Sequence, residues 1–251
     1  MVKAAHGSNW GFELGTKTDA QAARLVEAIK SDIIIGRLHP REHLVEDEIA
    51  SKSETSRHVV RAALVMLERM GLIVRRPNRG AIVRDFSPDQ VNQIYDVRMV
   101  LQAEAARLVP CPASAETLSD LDAIHADYSH ALNDGDLLRV NALNDAFHRR
   151  IWATCPNHYL ADLIERLWIE TTGIRWYGVG DVNLLAHSLK DHQRMMNQLR
   201  RGDRAGFVDL AVKHILPPLE AFKRVHSLGA SQAAEGRATD PSKRAKHGAD
   251  L

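Results

Sequence analysis

The chain has 251 residues, with 33 lysines and arginines against 32 aspartates and glutamates and a formal net charge of +1. That length exceeds the roughly 100 to 200 residues of one ordinary domain, so at least two are expected. Its two cysteines, Cys111 and Cys155, do not have the spacing of a zinc clasp, and there is no leader-like segment or long apolar run, which excludes a disulfide-built secreted scaffold and a membrane protein and predicts free thiols in a reducing cytoplasm.

Residues 1–17 show no apolar period and are expected to be mobile, as is the Gly-, Ala- and Ser-rich tail 227–251. From Thr18 the run TDAQAARLVEAIKSDIIIG carries Ala22, Leu25, Ile29 and Ile33 on one helical face and stops at Gly36. A shorter helix follows in VEDEIASK. Ser56 then offers an N-cap to a third helix, whose apolar positions Val60, Leu64, Leu67 and Met70 recur with one-face spacing before Gly71 ends it. LIVRR and AIVRD are two short β-branched runs joined by PNRG, a turn with Asn78 and Gly80, and so predict a hairpin. Between Ser56 and Arg84 there are seven arginines (57, 61, 69, 75, 76, 79 and 84) and one acid, Glu68, a basic concentration that the whole-chain charge hides. Three helices and a two-stranded basic wing within 18–84 are the plan of a winged helix-turn-helix, whose second paired helix enters the DNA major groove.

From Asp85 onward every periodic stretch is helical. Six runs are expected: one with Pro88 at its first turn and ending before Pro110, one closed by Gly135, one closed by Pro156, one ending near Trp176, one from Val182 to Gly202, and one from Asp203 to Val225. Short connections between them predict an antiparallel bundle over 85–226. The fold class is therefore mainly α. Charge divides with the domains, +3 over 18–84 and −4 over 85–226, which places the nucleic-acid partner at the N-terminal end.

Within the bundle, Asn144 and His148 stand four apart on one helix face, and His192 and His214 lie on later helices. Three imidazoles and one oxygen ligand can converge on a divalent transition metal in a bundle core. The chain has 13 histidines, so the same residues also fit ordinary hydrogen-bonded or surface roles. Asp145 points about 100° away around the helix and is the weaker oxygen ligand.

The run IIIGRLHPREHLVEDEIASKSETSRHVVRAALVMLERMGLIVRRPNRGAIV resembles the N-terminal domain of GntR-family transcription regulators, matching over 18–84 nearly without gaps. The resemblance implies that Ser56, Arg57, His58 and Arg61, with Arg79 and Gly80 at the wing tip, face a palindromic double-stranded operator as part of a homodimer. The chain departs from that pattern where Ser53, Glu54 and Thr55 replace Leu-Gly-Val, where His58 and Val59 replace Thr-Pro, and where Arg41 takes a position usually held by glycine. These departures bear on the operator sequence.

The runs NDAFHRRIWATCPNHYL, DHQRMMNQLRRGDRAGF and VKHIL resemble the FCD ligand-binding domain of the FadR branch, in its VanR-like six-helix form. That resemblance implies a metal such as zinc, nickel or manganese held by Asn144, His148, His192 and His214, with a small carboxylate effector completing its coordination. Asn144 stands where Asp is commoner, which leaves the site one charge more positive. Arg98 sits at the arginine of an R-x-x-L-E pattern, with Gln102 in place of the Glu. It either meets the effector or makes an ion pair within the bundle. Arg175 and Tyr177 are further candidates for the pocket wall. The implied function is a DNA-binding transcription regulator, a repressor, switched by that effector. The alternative is a metal-dependent enzyme using the bundle site, but no acid stands in a general-base position one turn from a ligand.

Overall fold

A computed structural model describes residues 17–76, 80–175, 177 and 181–226. Of the two ends expected to be mobile, 1–16 and 227–251 lie outside them, as do the wing-tip residues 77–79, Trp176 and 178–180, whereas Lys17 opens the first helix. The chain divides into two compact units, Met1–Asp85 and Phe86–Leu251.

The first unit opens with α1 (Lys17–Ile34), followed by β1 (His43–Leu44), α2 (Glu46–Lys52), α3 (Arg57–Arg69), β2 (Ile73–Arg75) and β3 (Ala81–Val83). Helix α1 buries Ala22, Val26, Ile29 and Ile33, so Val26 takes the core position expected for the half-buried Leu25. Its partner is α3, whose Val60, Ala63, Leu64 and Leu67 are fully enclosed. Each such leucine contributes roughly 1.5–3 kcal/mol of transfer free energy. Ser56 caps α3 by accepting a 3.3 Å bond from the Val59 amide.

The wing has three strands, not two. Its order is β1-β3-β2, antiparallel throughout, with His43 opposite Ile82 and Ile73 opposite Val83. β1 contributes two residues, too few for a period-2 signal, yet Leu44 is buried and its strand covers what would otherwise be an open edge of β3.

In the second unit α4 (Pro88–Leu108) starts with a reciprocal capping box between Ser87 and Gln90 and with Pro88 in its first turn. It is followed by α5 (Ala115–Asn133), α6 (Leu137–Trp152), α7 (His158–Glu170), α8 (Thr172–Arg175), α9 (Val182–Arg201), α10 (Arg204–Lys213) and α11 (216–226). Phe147, Ile151, Met195, Met196, Leu199 and Phe207 centre the main core, drawn from α6, α9 and α10. Gly202, at φ 74°, turns the chain from α9 into α10.

Two of the six expected helical runs are interrupted. Asp203 to Val225 breaks at His214–Ile215, because Pro217 and Pro218 lack the amides that a continuous helix would need and crowd the preceding turn. The fourth run breaks at Thr171, whose hydroxyl donates to the Leu167 carbonyl at 2.7 Å while Thr172 donates to Trp168 at 3.4 Å. Both breaks border the same cavity and shape its wall.

Candidate functional site

The DNA-facing candidates of α3 lie on its exposed side, with Arg57 and Arg61 one turn apart. Neither is free. Arg57 forms a fork with Asp47 of α2, Nε to Oδ1 at 2.6 Å and Nη2 to Oδ2 at 2.9 Å, and Arg61 Nε donates to Glu46 at 2.8 Å. Arg75 in the wing donates to Glu68 at 2.7 Å. The basic balance counted from Ser56 onward is therefore partly offset by acids of α2, just outside that window. His58 is exposed on the same helix, and Ser56 is occupied as the cap.

At the wing, Gly80 has φ 73°, and a Cβ there would stand 2.6 Å from the Leu44 carbonyl oxygen, so only glycine fits against β1. Arg79 lies outside the described residues. Among the described residues, two that are not glycine are left-handed, Arg41 at φ 68° and Glu54 at φ 48°, and both hold positions where the resembling pattern has glycine. Arg41 is tethered by a 2.6 Å ion pair to Asp85.

The bundle encloses a cavity of about 80 Å³, room for several waters or one small metabolite. Helical spacing aims its wall. Asn141, Asn144 and His148 follow one face of α6; Leu185 and Ser188 precede His192 along α9; Tyr95 and Arg98 come from α4, Trp168 and Arg175 from α7 and α8. His214 caps α10 and is followed by Ile215, Pro217 and Pro218.

Three histidines meet there. His148, His192 and His214 can each present one ring nitrogen so that all three lie within 4.8 Å of one another. Their ring centres form a nearly equilateral triangle, with sides of 5.2, 4.9 and 4.9 Å, and the Nε2 atoms of His148 and His214 are 3.1 Å apart. Burial holds His148 and His192 well below the ordinary histidine range, and the neighbouring His214 acts in the same direction on both. Both are therefore neutral near pH 7, the state in which imidazole ligates a metal. The Nδ1 atoms of these two histidines are buried without a protein partner. Three ring nitrogens brought this close, two of them on histidines held neutral, form a donor set of the kind a divalent cation takes, so the residues present fit a metal.

Behind the triad, Asp191 accepts from His214 Nδ1 at 3.4 Å and from Arg194 at 3.2 Å. Burial would raise the Asp191 carboxyl, but the bond from His214 and the charges of His187 and Arg194 outweigh it and hold it below the usual carboxylate range. A carboxylate behind a ligating histidine fixes its tautomer and orientation. Asp145 faces elsewhere, accepting from Trp168 Nε1 at 2.9 Å and from Arg175 at 3.4 Å.

The two cavity arginines differ. Arg175 donates to the Trp168 carbonyl, to Thr171 and Thr172, and to Asp145, and lies over the Trp168 ring at 4.0 Å. Burial brings its guanidinium down to about 10, with Asp145 opposing the shift and Arg98 adding to it. Arg98 is 4% exposed, rests on Tyr95 and Trp168 at 4.7 and 5.6 Å, and has no carboxylate partner. Its Nη1 has no hydrogen-bond partner, and burial lowers its guanidinium from the usual range, with the adjoining Tyr95 hydroxyl acting against that shift. The ion pair entertained for Arg98 from sequence is absent among the described residues.

Known proteins divide the chain at nearly the same place. Residues 21–83 match the model of bacterial regulatory proteins of the gntR family, and residues 93–216 match the FCD domain. An HTH-type transcriptional regulator of Agrobacterium vitis is 32% identical over 130 residues, covering 50% of this chain and 75% of its own. The chain belongs to the GntR family of transcription regulators. Another GntR-like relative, the HTH-type transcriptional repressor GlaR of Escherichia coli, is 27% identical over 210 residues, 78% of this chain and 93% of that one. The solved McbR/YncC of E. coli shares the fold, with a TM-score of 0.61 at 19% identity over 85% of this chain and 98% of that one.

Within this GntR-type frame, Asn144, His148, His214, Arg98 and Arg175 border one cavity, and His192 stands against it through its two partner histidines. Sequence spacing did not single out Tyr95, Tyr128, Trp168, Ser188 or Asp191. Asp191 left a usable signal, since it immediately precedes His192. Trp168 is a buried residue that also walls the cavity and touches Arg175, Arg98 and His148. Tyr177 packs against Phe222, in the cluster with Ile174, and is not in the cavity wall.

Proposed function

We propose that this GntR-family protein is a repressor whose operator affinity is set by a small carboxylate bound at a metal in the bundle cavity. The observation that carries the reading is a buried guanidinium without a carboxylate counter-ion, Arg98, lining the same cavity as His148 and His214 of the converging triad. A buried charge without a partner is costly, and a bound anion would supply that partner. His148, His192 and His214 would hold a zinc, nickel or manganese ion, with the Asn144 carbonyl as the oxygen ligand, because Asp145 is already engaged by Trp168 and Arg175. The ion would supply a Lewis-acid anchor for the carboxylate.

On the DNA side, Ser56, Arg57, His58, Arg61, Arg79 and Gly80 are the proposed contacts, and a symmetric homodimer would place two α3 helices on a palindromic site. Repression is the sign carried by the name of the relative GlaR. No described helix is long and apolar enough to cross a membrane, in keeping with a protein acting on cytoplasmic DNA. An effector regulates only by binding two conformations with different affinity. Arg57→Ala should weaken operator binding by about 1–3 kcal/mol, measured by fluorescence anisotropy against a non-operator control. Unchanged affinity and specificity would remove Arg57 from the contacts. A metal-dependent enzyme using the cavity would consume the bound acid, whereas a regulator returns it unchanged.

A further inference from the structure

The charge around the cavity is lopsided. Two guanidiniums, Arg98 and Arg175, line it, and no aspartate or glutamate does among the described residues. Asp145 lies behind Arg175 and bonds to it, and Asp191 lies behind His214 and bonds to Arg194, so each nearby acid already has a cation. Arg98 has none. One turn along the same face of α4 is Gln102, 2% exposed, with neither amide atom paired, so the residue best placed to neutralise Arg98 is itself uncharged. Asn144 is likewise neutral, and the three histidines contribute no negative charge.

A divalent ion on the triad would add two positive charges to a wall that already has one uncompensated. The ion site is built from α6, α9 and the end of α10, whereas Arg98 comes from α4, so the two cationic positions belong to different elements. A single carboxylate neutralises one charge and leaves the remainder buried. Arg175 is poorly placed to take a second anionic group, because both its terminal nitrogens are bonded to the protein.

We infer that the effector is a small dianion, one anionic group meeting the ion at the triad and the other meeting Arg98. This rests on the reading of the cavity as the effector site. Room for roughly five waters favours a short dicarboxylate over a longer acid. Tyr95, whose ring lies 4.7 Å from the Arg98 guanidinium, lines the same cavity.

The test is calorimetric titration of the metal-loaded full chain with acetate, propionate, oxalate, malonate, succinate and inorganic phosphate. Malonate or succinate should bind at least about 10-fold more tightly than propionate. Gln102→Glu, which supplies an internal counter-charge to Arg98, should erase that preference, with folding checked by circular dichroism. Arg98→Lys should retain part of it. Phosphate binding as tightly as malonate would overturn the assignment of two separated groups, while phosphate falling with the monoanions would support it. Propionate equalling malonate overturns the inference and leaves the cavity an effector site. No binding by any acid, with no metal retained, overturns both.

Discussion

At the scale of single residues, the arginines most legible in the sequence are held in ways it did not reveal. Arg57 and Arg61 follow directly from their spacing and the family pattern, but their partners Asp47 and Glu46 come from a different helix, and a charge count over one window cannot see a pairing made by tertiary packing. Exposed pairs of this kind are worth about 0.2–1 kcal/mol, so they would yield to phosphates without large cost. Asp47→Asn should therefore leave stability within about 1 kcal/mol while strengthening non-specific DNA binding and steepening its salt dependence by about one unit of slope. Binding titrations across a salt series check this; an unchanged slope would mean that Asp47 does not oppose the phosphates. In the cavity, the three histidines were legible because helical spacing and motif agree. Arg98 was identified while its role stayed open, since sequence cannot show whether a buried cation has found an acid.

At the scale of elements, helix starts were the most readable features, with Ser56 capping α3 and Pro88 in the first turn of α4, as expected. Breaks were less so. The Asp203 to Val225 run keeps a helical pattern through Pro217 and Pro218, and the interruption that sets His214 at the end of α10 comes from backbone amides that prolines lack. β1 escaped for a different reason, because two residues are too short to show alternation and pair only once β3 exists. The turn between α2 and α3 holds a testable strain. Glu54 adopts φ 48°, a conformation that costs a side-chain-bearing residue about 1–2 kcal/mol and glycine little. Glu54→Gly should raise the unfolding free energy by about 1 kcal/mol, read in urea melts. A loss of stability would show that Glu54 makes a compensating interaction in that turn.

At the scale of the whole molecule, the cavity links the stability of the bundle to pH and to ligand. His148 and His192 have folded-state affinities for protons well below the ordinary value of 6.5, so the unfolded chain takes up protons first. Their contribution is present above pH 6.5 and is lost as pH falls below it, by up to about 1.4 kcal/mol per histidine for each unit. The melting temperature of metal-free protein should drop between pH 6.5 and 5, and a bound ion, which competes with the same protons, should protect in the upper part of that range; a flat profile would argue that the histidines are not buried. On the proposed function, regulation is the coupling of this site to DNA binding. The most direct measurement is operator affinity, on a sequence selected from random DNA, for the wild type and His192→Ala, with and without malonate and bound metal. A malonate-dependent change in operator Kd in the wild type, lost in His192→Ala while its unliganded DNA binding persists, is the expected result. An operator Kd in the wild type that no acid in the series alters, with metal bound, would contradict it.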